Sequence, residues 1–157
     1  MYRLPLGLSL LSSLLALPAA SQTVTDGDTI RFDGKATRLW GIDAAELHQH
    51  CADGWPAGEL ASRHLADLMR HRTITCEPKT IDRYGRLVAL CRADGEDLGA
   101  AMVSAGMAWA FTRYSRDYAR QEQVAVSQGL GVHGHECERP WAHRTRQRRG
   151  QRSHGLR

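Results

Sequence analysis

No cysteine precedes Cys51, and no apolar run is long enough to span a bilayer. The longest such stretch, Leu6 to Leu17, covers 12 positions, whereas a membrane-spanning helix needs about 20. The first absence leaves the leading segment without a thiol for lipid attachment. The second excludes stable membrane insertion of a mature chain. A surplus of positive charge is also missing where a core would fold. Residues 22–143 hold 14 Lys and Arg against 17 Asp and Glu, so the formal net charge of +4 owes its sign to six arginines in 144–157 and one at position 3. Bulk charge therefore cannot hold nucleic acid on the central segment. Any such site has to rest on a few placed arginines.

What is present begins with an export pattern. Met1-Tyr2-Arg3 gives a positive start, the Leu6 to Leu17 run follows, and Ala19-Ala20-Ser21 offers small residues for cleavage. This composition predicts a signal peptide over residues 1–21 and a periplasmic or secreted product. Four cysteines suit that compartment, because an even count in an exported chain points to disulfides. Cys76 and Cys91 flank a strand–turn–strand pattern and are paired here, which leaves Cys51 with Cys137. The alternative for the second pair is a structural zinc site, since His48, His50, His133 and His135 lie beside these two cysteines. Residues 144–157 are rich in arginine and poor in apolar side chains, which predicts a basic disordered tail able to tether phosphate.

Between these ends, periodicity separates strands from helices. Gln22 to Phe32 and Ala36 to Ile42 read as strands, the former with a turn at Asp26-Gly27. Leu60, Ala61, Leu65, Leu68 and Met69 recur at helical spacing over 56–71, with Pro56 suited to a first turn. Thr73 to Glu77 and Arg86 to Arg92 form a strand pair. A helix over Leu98 to Ala105 ends at Gly106, Met107 to Phe111 is a short strand, and Ser115 predicts the cap of a last helix reaching Gln128. Strands with helices inserted among them give an α+β domain over 22–143, built on a small antiparallel barrel.

Three segments place acids and arginines at the ends of apolar strands. They are Thr25-Asp26-Gly27-Asp28-Thr29, then Arg38-Leu39-Trp40-Gly41-Ile42-Asp43-Ala44-Ala45-Glu46, then Asp82-Arg83-Tyr84-Gly85-Arg86. Charge in such places is costly unless it is paired or binds metal. In this order and spacing, and with Gly106 to Ala110, Tyr114, Tyr118 and Glu122 following, the segments resemble the staphylococcal nuclease family from about Thr23 to Trp141. The resemblance implies a five-stranded OB-type barrel with about three helices, a fold that commonly binds oligonucleotides. It implies Asp28, Asp43 and the backbone carbonyl of Ala44 as Ca²⁺ ligands, with Asp26 as a supporting acid nearby. It implies Glu46 as general base, Arg38 and Arg86 as phosphate-binding arginines, and Tyr114 as a substrate contact. The implied reaction is hydrolysis of DNA or RNA by attack of water at phosphorus, with 3′-phosphate products. A non-catalytic OB-fold binding module is the alternative, and no protein partner is implied. Ala45 replaces a usual proline, Thr112 a second substrate-contacting tyrosine, and Gly131 a usual tryptophan whose packing Trp141 is expected to supply.

Overall fold

A computed structural model describes residues 22–32 and 34–154. The signal peptide expected over residues 1–21 lies outside the described residues. The chain is α+β, as its alternating patterns predict. Its main sheet follows the path β1 (Thr23–Asp26), β2 (Thr29–Phe32), β3 (Lys35–Leu39), β6 (Leu87–Ala93) and β5 (Ile74–Ile81), with β7 (Glu96–Asp97) added to β6. These five strands are the complement expected of the barrel. All pairings are antiparallel except β3 with β6. Pro78 falls at a register shift in β5, an edge strand, where a missing N–H is tolerated.

The strand expected over 36–42 divides. Gly41 adopts φ +73°, a left-handed conformation that favours glycine, and a Cβ there would lie 2.8 Å from the Tyr118 ring. The chain turns at this point and sends Ile42 and Asp43 into a separate strand, β4. That strand pairs with β8 (Trp109–Ala110). The turn thus lifts Asp43 off the main sheet while leaving Arg38 on it.

Helix α1 (Ala57–Met69) buries Ala61, Leu65 and Met69 of the stripe that its spacing predicts, together with Ala57, while Leu60 and Leu68 are half-buried. Ala61, Leu65 and Met69 meet Ile30, Leu39, Ile42, Leu98 and Met102 in the main core, while Ala57 joins Ala45, Cys51 and Trp109 in a second cluster. Helix α2 (Leu98–Ser104) is capped by Asp97, whose side chain accepts from the Ala100 N–H at 3.1 Å. Helix α3 spans Ala119–Ser127 and does not start from Ser115 as expected. Ser115 instead accepts from the Asp117 N–H in a local turn at 3.0 Å. Buried Tyr118 sets the helix start, because its hydroxyl donates to the Asp97 carboxylate at 3.0 Å.

Two expectations about the C-terminus need correction. Residues 144–154 are not disordered: they continue a helix, α4 (Pro140–His154), so four α-helices are described where about three were expected. Proline at a first helical position and helix-tolerant Arg and Gln explain the local preference. Nor does Trp141 fill the place left by Gly131, since it is 55% exposed. Both expected disulfides are present, Cys51–Cys137 and Cys76–Cys91. The first takes the two thiols that the zinc alternative needed, and His135 instead stacks on Trp55 and meets Asp53 at 2.7 Å. Among the described residues no helix is long and apolar enough to cross a membrane.

Candidate active site

The Asp26-Gly27-Asp28-Thr29 segment forms the β1–β2 turn, and Asp28 at its end is 4% exposed. A carboxylate buried to this degree has to be satisfied. The Asp28 carboxylate accepts from the Thr29 hydroxyl at 2.9 Å, the Ala44 N–H at 3.1 Å and Arg38 at 3.1 Å. The last two contacts draw β3 and the loop after β4 toward the turn. Asp43, buried on β4, completes the cluster by accepting from Arg38 at 2.7 Å. Arg38 is therefore a bridge between two buried acids. Burial works against its charge, but Asp28 and Asp43 outweigh that and hold its pKa above the ordinary value.

Burial also raises the Asp43 carboxyl above its usual range, reinforced by the charge of Asp28 and partly offset by Arg144 and Arg38. Asp26 is pushed up to about 6, first by burial and then by Asp28. Its carboxylate accepts from the Asp28 N–H at 3.1 Å, which ties the turn together. The folded state thus binds this proton more tightly than the unfolded chain does. That contribution to stability is present below the unfolded value of 3.8 and is lost as pH rises through about 6. Asp26→Asn, neutral throughout, is expected to stabilise the protein by on the order of 1–2 kcal/mol more at about pH 8 than at about pH 4. Urea unfolding in EDTA at the two pH values measures this, and an equal change at both contradicts it.

Glu46 sits in the loop between β4 and α1, and its side chain is 40% exposed. Its backbone is fixed by Gln49, a 1%-exposed residue that the sequence did not single out. Gln49 accepts from the Glu46 N–H at 3.2 Å, and its amide donates to the Glu138 carbonyl at 2.7 Å. Gly58 closes the loop from below. Its N–H donates to the Gln49 carbonyl at 3.0 Å, and an added Cβ would fall 1.8 Å from the Glu46 carbonyl oxygen. Gly58→Ala is expected to displace Glu46, costing about 1–3 kcal/mol of stability. Urea unfolding measures it, and a variant with the wild-type midpoint would contradict this placement.

A groove of about 1290 Å³ runs past these acids, with Asp28, Arg38, Glu46, Arg86, Tyr114 and Arg144 on its walls. Arg86 is held by Asp82, which accepts from its Nε at 2.8 Å and from its backbone N–H at 3.0 Å. Tyr114 is 69% exposed and leans on Phe111 with ring centroids 5.0 Å apart. All the expected site residues therefore meet on one groove or directly behind it.

The groove also holds a residue that the sequence reading placed in a disordered tail. Arg144 donates to Glu46 at 2.6 Å and to both Asp43 oxygens at 3.2 and 3.1 Å. Burial opposes its charge, yet the Glu46 hydrogen bond and the charge of Asp43 hold its pKa above the ordinary value. A signal for it exists in the sequence. Trp141, Arg144, Thr145 and Arg148 recur at helical spacing, and all four line the groove. Near this point three carboxylates, Asp28, Asp43 and Glu46, face two guanidiniums, Arg38 and Arg144.

Comparison with known proteins places the chain in a family. Residues 36–132 match the family described as staphylococcal nuclease homologue. An uncharacterized endonuclease of Haemophilus influenzae is 31% identical over 116 residues, covering 69% of this chain and 62% of its own length. A micrococcal nuclease of Shigella flexneri is 31% identical over 136 residues, covering 75% of each chain. An uncharacterized endonuclease of Escherichia coli is 34% identical over 99 residues, covering 60% of this chain and 61% of its own length. Residues 140–154, the whole of α4, lie beyond the matched family region. With most of its length matched and its acids and arginines on one groove, the chain belongs to the staphylococcal nuclease homologue family, a family of nucleases.

Proposed function

We propose that this chain is an exported, calcium-dependent nuclease that hydrolyses phosphodiester bonds of DNA or RNA by attack of water at phosphorus, leaving 3′-phosphate ends. The observation that carries this reading is the convergence of Asp28, Asp43, Arg38 and Glu46 in a groove shared with Arg86 and Tyr114. Carboxylate oxygens without nitrogen or sulfur donors suit a hard dication, and the local excess of acid leaves charge for one to neutralise. Asp28, Asp43 and the Ala44 carbonyl are the groups that would hold Ca²⁺, which when bound offsets charge on the phosphodiester.

The chain's own residues divide the remaining work. Glu46 orients water and takes its proton as the oxygen attacks phosphorus, and such a base contributes about 10²–10⁴ in rate. Arg38 and Arg86 each present a planar fork able to grip phosphate oxygens. Their charge stabilises what builds on those oxygens as the 5′ oxygen leaves. Asp28 and Asp43 aim Arg38, and Asp82 aims Arg86. Tyr114 offers an exposed ring to a terminal base or phosphate, and Asp26 secures the turn that carries Asp28. Two disulfides support an oxidising destination, the periplasm or the medium.

The ends of the products test the reaction. A 5′-labelled single strand is expected to yield fragments whose mobility changes on treatment with a 3′-phosphatase. Fragments ending in 3′-hydroxyl would overturn the assigned reaction. A strand bound but left intact would favour the non-catalytic OB-fold module.

A further inference from the structure

Arg144 has no part in the chemistry above, yet it holds the oxygens that this chemistry requires. One of its terminal nitrogens lies 2.6 Å from Glu46 Oε1, and the other lies 3.2 and 3.1 Å from the two Asp43 oxygens. A guanidinium in this position shares the oxygens that a dication or an activated water would use, and its charge opposes a cation there. Resting on the calcium-dependent reading, we propose that α4 is an autoinhibitory latch: Arg144 takes the cation's place on Asp43 and Glu46, and calcium releases the helix.

The helix is built to be released. Of its side chains from Pro140 to Arg152, only Pro140 is buried, and Trp141 is 55% exposed. Its polar ties include Arg146 to Glu138 at 2.8 Å, His143 to Glu138 at 3.5 Å and Arg148 to the Tyr84 hydroxyl at 3.3 Å. Exposed contacts such as those of Arg146 and Arg148 contribute little. By contrast Arg144 is 29% exposed and Asp43 3%, so their pairing is well sheltered. The start of the helix is restrained nearby, since Cys137 is bonded to Cys51 and Gln49 holds the Glu138 carbonyl. α4 can therefore swing from a fixed root, and it remains beside the groove after leaving it. Competition of this form lowers apparent affinity in proportion to the fraction of open molecules. The site stays closed where free calcium is scarce and opens where it is abundant.

Calcium titration calorimetry on the whole protein, beside hydrogen exchange of the 140–154 amides, tests the latch. Arg144→Ala is expected to bind Ca²⁺ about tenfold or more tightly than wild type, with Arg144→Lys between them. In wild-type protein, which needs no variant to fold, saturation with Ca²⁺ is expected to speed exchange along α4. Equal or weaker calcium binding by Arg144→Ala, or α4 exchange unchanged by calcium in the wild type, overturns the latch alone. Binding of calcium by neither protein overturns the calcium reading itself, and the latch with it.

Discussion

Glu46→Gln is expected to lower turnover about 10²–10⁴-fold while leaving the fold and the affinity for a single strand close to wild type. The substitution keeps the side-chain shape and one carbonyl oxygen, so the contact that Arg144 makes at 2.6 Å retains an acceptor. The backbone bonds to Gln49 are untouched, because they involve the Glu46 N–H and carbonyl. What is lost, on the proposed reaction, is the ability to accept a proton from water. The effect should therefore appear in kcat with KM nearly constant, the pattern of an interaction made only in the transition state. A variant that loses strand binding instead would assign Glu46 to the substrate interface.

Arg38→Met is expected to destabilise the protein by about 3–5 kcal/mol and to abolish cleavage. Arg38 is 15% exposed and its partners Asp28 and Asp43 are 5% and 3% exposed at their side chains. Methionine fills much of the same volume, so the loss is mainly that of a charge between two buried acids. Left facing each other, those acids either take up a proton or repel. Urea unfolding in EDTA measures the effect, and it should shrink at low pH as the Asp43 carboxyl, raised by burial, protonates. Added calcium should restore part of the stability, since a dication can neutralise the same pair. Arg38→Lys should recover some stability but little activity, because an ammonium lacks the fork that spans two partners.

The fold was legible where one rule governed. Helix α1 followed from a stripe of Ala61, Leu65 and Met69, and α2 followed from apolar spacing closed by Gly106. The failures arose where tertiary contacts set the local outcome. Ser115 looked like a cap, but burial of Tyr118 against Asp97 delayed α3 to Ala119. The strand through Trp40 and Gly41 looked continuous, but packing against Tyr118 turned it and so delivered Asp43 to the site.

The site was legible for a different reason. Acids and arginines at strand ends are conspicuous in sequence, and Arg38, Asp43 and Glu46 fall within nine residues. Gln49 and Gly58 escaped notice because they act through backbone geometry, which leaves no charge pattern. Arg144 was hidden in plain composition. Six arginines in 144–157 suggest a solvated tail, and only their spacing with Trp141 indicates a face turned to the groove.

Digestion of single-stranded DNA with added Ca²⁺ or with EDTA tests most directly whether these groups form the proposed metal-dependent phosphodiesterase site. The account predicts fragmentation in Ca²⁺, none in EDTA, and recovery when calcium is restored. Cleavage at the same rate in EDTA, or a strand that binds and stays intact in Ca²⁺, would contradict it.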